Sequence, residues 1–228
     1  MHIGLIGGIG PAATDFYYRS LVERMAASSG ELELTIVHAD TPTLLANQAV
    51  DDVQAQVEIY DRLTRRLEAA GAHSVAVTSI AGHFCIDAFT SVSVLPVIDL
   101  LTVVDVAVQA CGYRRVGLLG TRGVMVSRLY EALSDVEVVT PPGQDLNAVH
   151  DAYVTMASTA TCTQEQRECF FDAGRAMIEE QEADAVLLAG TDLTLAFRGY
   201  DAGFPVFDCA EAHVRAIFEE AQRTDPAT

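Results

Sequence analysis

The 228 residues, half of them apolar and a fifth charged, are typical of a globular chain that can form one large domain or two small ones. The formal net charge of −18 argues against nucleic acid or an anionic membrane surface as a partner, because both bind clustered Lys and Arg. The 14 basic residues are all arginine, so no lysine is available to anchor pyridoxal phosphate or to act as a covalent catalyst.

Short apolar strands alternate with helices from the start of the chain. The first predicted strand, residues 3–6, ends in a glycine-rich turn, and Pro11 suits the first turn of a helix that continues to residue 25. Residues 51–70 place apolar side chains at helical spacing. The other elements predicted in this half are strands at 32–39, 74–78 and 94–98 and a helix at 100–111.

The second half follows the same alternation. Its predicted strands are 116–119, 137–139, 185–188 and 206–207, and its predicted helices are 125–133, 146–156, 164–182 and 211–222. Strands that alternate with helices favour parallel sheets covered by helices on both faces. The predicted class is therefore α/β.

The two halves repeat three landmarks in the same order and at nearly one spacing. These are a strand with a glycine-rich turn at 3–10 and 116–123, a buried strand followed by hydroxyl-bearing residues at 75–79 and 185–191, and Pro-Val-x-Asp at 96–99 and 205–208. We therefore predict two similar Rossmann-like α/β domains related by a pseudo-twofold axis. The predicted domains are residues 1–99, with a C-terminal helix at 208–228 packing back on them, and residues 100–207.

Ligands of parallel sheets bind beyond the carboxyl ends of the strands. In this chain those ends are Gly7-Gly8-Ile9, Thr78-Ser79-Ile80, Gly120-Thr121 and Gly190-Thr191-Asp192. Backbone N–H groups and hydroxyls with few cations nearby favour a small carboxylate over a polyphosphate. A dinucleotide is disfavoured, because the glycines of residues 4–10 depart from the order G-x-G-x-x-G.

The cysteines indicate neither a metal site nor a disulfide framework. They lie at positions 85, 111, 162, 169 and 209, with no CxxC pair and no Cys/His ligand spacing. Their odd number and the absence of a cationic leader predict a reducing, cytoplasmic location. The longest apolar run, residues 92–110, is interrupted by Asp99 and Asp105 and is too polar to span a bilayer.

Three segments resemble the aspartate/glutamate racemase family, whose members need no cofactor. The segments are Gly4-Leu5-Ile6-Gly7-Gly8-Ile9-Gly10-Pro11-Ala12-Ala13-Thr14, Val116-Gly117-Leu118-Leu119-Gly120-Thr121-Arg122, and Pro205-Val206-Phe207-Asp208 followed by His213. They resemble the opening of the family's first half, the opening of its second half and its closing strand and helix. The resemblance implies two α/β domains with the active site in the cleft between them, a small carboxylate substrate and often a homodimer.

The chain departs from the family at both catalytic cysteines. Where the family has Cys-Asn-Thr-Ala-His the chain reads Ser79-Ile80-Ala81-Gly82-His83, and where the family has Gly-Cys-Thr-Glu it reads Ala189-Gly190-Thr191-Asp192. The resemblance implies a thiol on each side of the substrate α-carbon, and both thiols are replaced. The asparagine and threonine that would hold a substrate carboxylate are replaced by Ile80 and Ala81.

Ser79, His83 and Asp192 are the candidate catalytic residues. His83 can act as a general base or orient Ser79, or it can simply hydrogen-bond within its own loop. Asp192 can act as acid or base, or it can cap the helix that follows. Cys85 and Cys209 are either relocated thiols or core filling, and Asp40 faces the site or begins a turn. The candidate substrate-binding residues are Gly8, Ile9, Thr78, Ile80, Ala81, Thr121, Gly190 and Thr191.

Two functions fit these residues. The first is a cofactor-independent isomerase or lyase that acts on a small carboxylate or carbonyl acid with non-cysteine catalytic groups. The second is a non-catalytic descendant of the racemase fold that binds a metabolite or a partner protein. For either function we expect no metal, no cofactor and no contact with nucleic acid or membrane, and we expect a homodimer.

Overall fold

The chain divides into two compact units, which are described separately. A computed structural model describes residues 1–8, 10–28 and 30–223. The first unit comprises Met1–Leu100 together with the chain from His213 onward, and the second comprises Leu101–Ala212. Each unit contains its own parallel sheet.

The first unit is built on three paired strands in the order β2-β1-β3. The strands are β1 (Ile3–Gly7), β2 (Leu34–His38) and β3 (Ser74–Val77), and the helices are α1 (Pro11–Ser28), α2 (Thr41–Ala49), α3 (Val53–Ala69) and α4 (Ile86–Val92), with a 3-10 helix at Ala81–Cys85. Every residue of β1 and β3 is buried, as expected of strands covered on both faces. Beyond β3, a single parallel bridge joins Val75 to Val97.

The second unit has four paired strands in the order β5-β4-β6-β7. The strands are β4 (Arg115–Gly120), β5 (Glu137–Val139), β6 (Ala185–Ala189) and β7 (Val206–Asp208). The helices are α5 (Leu100–Cys111), α6 (Arg122–Val126), α7 (Gly143–Thr159), α8 (Gln164–Glu179) and α9 (Thr194–Phe197), with a 3-10 helix at Thr191–Leu193. The last helix, α10 (Cys209–Ala221), begins in this unit and continues into the first unit from His213 onward. The predicted α/β class with parallel sheets is confirmed.

The repeat seen in the sequence is also a repeat of strand order and packing. The bridge at Val97 gives the first unit the same order as the second, where β7 pairs with β6. A Cβ at Gly4 would lie 2.8 Å from Leu67 of α3, and a Cβ at Gly117 would lie 2.8 Å from Met177 of α8. A glycine in each central strand therefore lets a helix pack closely on the sheet.

Two predicted elements are wrong in extent. The strand predicted at 94–98 is reduced to the bridge at Val97. The helix predicted at 125–133 begins at Arg122 and ends at Val126. It ends because Arg128 adopts a left-handed conformation and the N–H groups of Arg128 and Leu129 bond back to Met125 and Val124, which is a Schellman cap.

Three helices were not predicted, namely α2, α4 and α9. The first of these begins at a polar N-cap, where the Asp40 carboxylate accepts a hydrogen bond of 3.0 Å from the Thr43 N–H. This contact favours the interpretation of Asp40 as the start of a turn.

Across the described part of the chain, no helix has both the length and the apolar character that a membrane crossing requires.

Candidate functional site

The turn after β1 is held by two threonine hydroxyls. Gly8 has φ of +92°, and its N–H donates to Thr14 Oγ1 at 2.9 Å. Thr14 Oγ1 in turn lies 3.2 Å from Thr78 Oγ1, and the Thr78 hydroxyl also contacts the Ile6 carbonyl at 3.3 Å. The Gly8 N–H and the Thr78 hydroxyl thus already have partners within the turn, and the predicted residue Ile9 lies outside the described residues.

The segment after β3 folds back on itself in a tight turn. Ser79 Oγ accepts a hydrogen bond of 3.3 Å from the Gly82 N–H, and the His83 N–H donates to the Ile80 carbonyl at 2.9 Å. His83 Nδ1 donates to the Ser79 carbonyl at 2.6 Å. The imidazole therefore contacts the backbone of Ser79 through this nitrogen, and no bond to the Ser79 hydroxyl is among the described contacts.

The hydrogen bond to Ser79 fixes the tautomer of His83. Because Nδ1 carries the proton, Nε2 carries the lone pair. Nε2 is buried without a hydrogen-bond partner among the described residues, and it lies 3.9 Å from Asp99 Oδ1. Burial lowers the pKa of His83, while the charge of Asp99 and the bond to Ser79 act in the opposite direction. His83 is thus a buried neutral imidazole whose basic nitrogen faces a carboxylate.

A second buried histidine packs beside the first. The rings of His213 and His83 have centroids 6.2 Å apart. His213 Nε2 donates to the Ile98 carbonyl at 2.8 Å, so its Nδ1 accepts from the Tyr17 hydroxyl at 3.0 Å. Burial, and then the proximity of His83, lower the pKa of His213 to about 3. His213 therefore ties the start of its chain segment to α1 and to the residue before Asp99.

In the second unit, the turn after β4 is capped on two sides. Thr121 Oγ1 accepts from the Val124 N–H at 3.4 Å, which makes Thr121 the N-cap of α6. His150 of α7 accepts from the Arg122 N–H at 3.1 Å through Nδ1. Thr121 thus serves a local structural role besides the substrate contact predicted for it, and His150 makes a structural contact to the backbone of Arg122.

The segment after β6 contacts Tyr153, which lies on α7 as His150 does. The Tyr153 hydroxyl donates to Asp192 Oδ2 at 3.2 Å, and both residues are buried. A Cβ at Gly190 would lie 2.3 Å from Tyr153 Cε2. The following helix, α9, has Leu193 as its N-cap and receives no side-chain cap. The capping role considered for Asp192 is therefore not seen at α9.

The two cysteines near the predicted rim are not poised as nucleophiles. Cys85 is buried, and burial raises its pKa to about 12. Burial also raises the pKa of Cys209 well above its usual range, and the charge of Asp208 adds to the effect. Both thiols stay protonated near neutral pH, which favours core filling. Within the described ranges, no three His, Cys, Asp or Glu side chains lie close enough to hold a metal ion.

Within each unit, the predicted site residues lie in the segments that follow two adjacent strands. In the first unit they follow β1 and β3, and in the second they follow β4 and β6. Sequence reasoning missed four contact residues, namely Thr14, Tyr17, Asp99 and Tyr153. Asp99 had a signal in the repeated Pro-Val-x-Asp, whereas Tyr153 occupies a buried helix position that resembles any core aromatic residue.

The comparisons with known proteins point to one family. A family model described as Asp/Glu/hydantoin racemase matches residues 6–217. A candidate Asp/Glu racemase from Yersinia pestis is 27% identical, with 98% of this chain and 100% of that chain covered and a TM-score of 0.83. An aspartate racemase homologue from Pyrococcus horikoshii is 25% identical, with 97% and 99% covered and a TM-score of 0.80.

More distant structures share the fold alone. A glutamate racemase from Francisella tularensis, solved with D-glutamate, is 13% identical to this chain and has a TM-score of 0.69. The alignment covers 98% of this chain and 84% of that one. The α/β architecture of the two units is therefore shared well beyond the range of clear sequence similarity.

Proposed function

The chain belongs to the Asp/Glu/hydantoin racemase family, and from that premise we propose that it is a cofactor-independent isomerase or lyase with non-cysteine acid–base groups. Its substrate is a small carboxylate or carbonyl acid. Membership in the family supports an isomerase-type activity. The choice of residues and the class of substrate are our proposal.

One observation carries the proposal. Each unit holds an ionisable pair with one member at the segment that the sequence resemblance aligns with a family cysteine, and in the first unit His83 is buried while Asp99 is half-buried. In the first unit, His83 lies within the turn that starts at Ser79 and faces Asp99 at 3.9 Å. In the second unit, Asp192 follows Gly190 and accepts the Tyr153 hydroxyl at 3.2 Å. A chain that had lost its chemistry has no need to keep an ionisable pair at both positions.

In the first unit we assign the proton-accepting role to the His83–Asp99 pair. The Nδ1–H bond to Ser79 leaves Nε2 as the basic atom, and burial keeps the imidazole neutral. Asp99 stabilises the imidazolium that forms when Nε2 takes a proton. Ser79 Oγ accepts from the Gly82 N–H, so its own hydrogen can be donated to a substrate oxygen.

The proposed substrate carries fewer charged and polar groups than an acidic amino acid. Ile80 is buried and apolar and Ala81 is half-buried, where the family resemblance implies a carboxylate clamp. The remaining polar groups at the strand ends are hydroxyls, among them Thr121 and Thr191. We therefore propose an acid with a single carboxylate or carbonyl group next to the reacting carbon.

Proton NMR in D2O tests this function. The protein is incubated with amino acids, dicarboxylates, arylmalonates and 2-oxo acids, and loss of a C–H signal or a new product is recorded. His83→Ala should abolish turnover in a chain that stays folded, while His73→Gln, which alters a histidine of the same unit away from this turn, should retain it. Silence of the wild type across the panel would favour the non-catalytic binding function instead.

The homodimer and the cytoplasmic location stay predictions. The first comes from the family resemblance and the second from the cysteine content of the sequence. Light scattering of the purified chain at several concentrations measures the oligomeric state directly. A monomer at all concentrations would contradict the predicted homodimer.

A further inference from the structure

We propose that Tyr153 is a positioning residue that occupies the space of the family's second thiol and holds the Asp192 carboxylate as the acid–base group of the second unit. This inference rests on the proposed function. It assigns a role to a residue on α7 that lies far in sequence from the motif segments.

The Tyr153 ring occupies the space that a side chain on residue 190 would need. A Cβ at Gly190 would lie 2.3 Å from Tyr153 Cε2, 2.8 Å from Cζ and 3.0 Å from the hydroxyl oxygen. Real Cβ atoms do not approach ring atoms this closely, so a cysteine at position 190 and the tyrosine at 153 exclude one another in this arrangement. The phenol oxygen lies 3.0 Å from that Cβ and thus occupies the neighbourhood that a thiol on residue 190 would fill.

A buried hydrogen bond joins Tyr153 to Asp192. Tyr153 is 6% exposed and Asp192 is 3% exposed, and the hydroxyl donates to Oδ2 at 3.2 Å. The hydrogen bond holds the buried carboxylate in one orientation and favours its charged form, which burial opposes. Burial, and then the charge of Asp192, raise the pKa of Tyr153 well above its usual value. The phenol therefore stays protonated near neutral pH and keeps donating.

The helix that carries Tyr153 is held at two places. His150 precedes Tyr153 by one helical turn on α7, and its Nδ1 accepts from the Arg122 N–H at 3.1 Å. The same helix therefore contacts the segment after β4 through His150 and the segment after β6 through Tyr153. Contacts at two strand ends fix the phenol relative to Asp192, which is the requirement for precise placement of a base.

The proton transfer balances without a further reactant. Asp192 takes the proton from the substrate carbon, so a C–H bond breaks and an O–H bond forms on the carboxyl group. The electron pair moves toward the neighbouring carbonyl or carboxylate of the substrate. The reverse step returns a proton from Asp192, and the Tyr153 O–H bond stays intact throughout.

Tyr153→Phe is the decisive variant. It keeps the ring that packs on Gly190 and removes only the hydroxyl. We expect kcat to fall roughly 10- to 100-fold with little change in KM, since the base is misplaced rather than the binding surface. We also expect the acid limb of the pH–rate profile to move to higher pH, because the charged carboxylate loses a donor. Tyr200→Phe likewise removes only a hydroxyl in the same unit, from a ring whose centroid lies 3.7 Å from Arg167 Cζ, and serves as the control.

Gly190→Ala tests the steric argument separately. Its methyl group must displace the Tyr153 ring, so we expect the same shift of the acid limb although the hydroxyl is still present. Gly174→Ala is the control, because its Cβ would lie 2.3 Å from the Phe204 ring, an equal clash in the same unit. It should lower stability to a similar extent and leave the pH–rate profile unchanged.

The outcomes separate the two proposals. A wild type that is silent across the substrate panel removes the proposed function and this inference with it. An active wild type whose Tyr153→Phe variant, shown to be folded by circular dichroism, keeps both kcat and the pH profile removes this inference alone. A shifted acid limb in Tyr153→Phe and Gly190→Ala, but in neither control, supports it.

Discussion

His83 has an unusual environment for a buried histidine. One ring nitrogen donates to the Ser79 carbonyl, and the other has no hydrogen-bond partner among the described residues, although the Asp99 carboxylate is 3.9 Å away. A proton added to Nε2 is attracted by that carboxylate, whereas burial opposes the charge. The balance of these two effects sets the proton affinity of the ring.

Asp99→Asn should therefore lower the pKa of His83 further. Burial already lowers this pKa and the Asp99 charge raises it, so removing the charge leaves burial less opposed. The pKa of His83 should decrease in this variant, because the charge that opposes burial is gone. The Cε1–H chemical shift in an NMR titration measures it. Asp15→Asn, which removes an exposed partner of Arg19, is the control, and a rise or no change in Asp99→Asn would contradict the prediction.

Gly8 is required both by its backbone conformation and by its neighbours. Its φ is +92°, and a Cβ would lie 2.2 Å from His38 Nδ1. Gly8→Ala should lower the free energy of unfolding by about 3 kcal/mol. Gly112→Ala isolates the backbone contribution, because Gly112 has φ of +72° with nothing within 4 Å of its Cβ, and it should cost about 1–2 kcal/mol. Urea denaturation compares the two, and equal losses would show that the His38 contact is unimportant.

At the scale of elements, α7 contacts the segment after β4 through His150 and the segment after β6 through Tyr153. The stability of its ends therefore affects both contacts. The helix ends at Ala160, a non-glycine residue with φ of +52°. Alanine is strained in this left-handed conformation, which glycine adopts freely. A glycine at position 160 would therefore stabilise the C-terminus of this helix.

Ala160→Gly should raise the free energy of unfolding by about 0.5–1 kcal/mol, since it removes the strain at the cap. The same change at Ala148, an exposed position inside α7, should lower it by about 1 kcal/mol, because glycine is a poor helix former. Denaturant unfolding of the two variants measures both signs. Destabilisation by Ala160→Gly would mean that the helix continues past this residue in solution.

Long elements could be predicted from the sequence, and their ends could not. The strands at the centre of each sheet are continuous apolar runs, and α3 has clear helical spacing, so both carry their own signal. The end of α6 depends on backbone bonds from Arg128 and Leu129, in which no glycine marks the left-handed turn. Likewise, α2 begins at the N-cap Asp40, and the sequence around Asp40 is equally typical of an ordinary turn.

At the scale of the molecule, His213 couples folding of the first unit to pH. Its pKa is about 3 in the folded chain and near 6.5 when exposed. Between these values the unfolded chain binds a proton that the folded chain does not, so stability falls as the pH falls from about 6.5 toward 3. Above about pH 6.5 this residue contributes no slope.

His213→Gln should flatten this dependence by up to one proton, or about 1.4 kcal/mol per pH unit. Amide hydrogen exchange of β1 and β3, corrected for the intrinsic effect of pH on exchange, reports the opening of this unit between pH 4 and 7. An unchanged slope in the variant would show that the imidazole is already charged in the folded chain.

The candidate site, like the fold, could be predicted from the sequence only in part. The family resemblance selected Ser79, His83 and Asp192 as candidates, and the apolar runs before them indicated that they follow strands, as β3 and β6 do. The partners Asp99 and Tyr153 come from long-range packing, which local pattern does not encode. Gly190 was the one sequence hint of Tyr153, since a glycine at a cysteine position leaves space that a neighbour must fill.

The first unit is interrupted by the whole of the second, and this has a consequence for biosynthesis. Residues up to Leu100 leave the ribosome first, yet their unit is completed only by the segment from His213 onward. The bonds of His213 to Tyr17 and to Ile98 therefore form among the last native contacts. The inserted unit, Leu101–Ala212, is continuous and finishes folding earlier. The strands of the first unit thus stay incomplete until the segment from His213 onward has been synthesised, whereas the second unit can fold once Ala212 has left the ribosome.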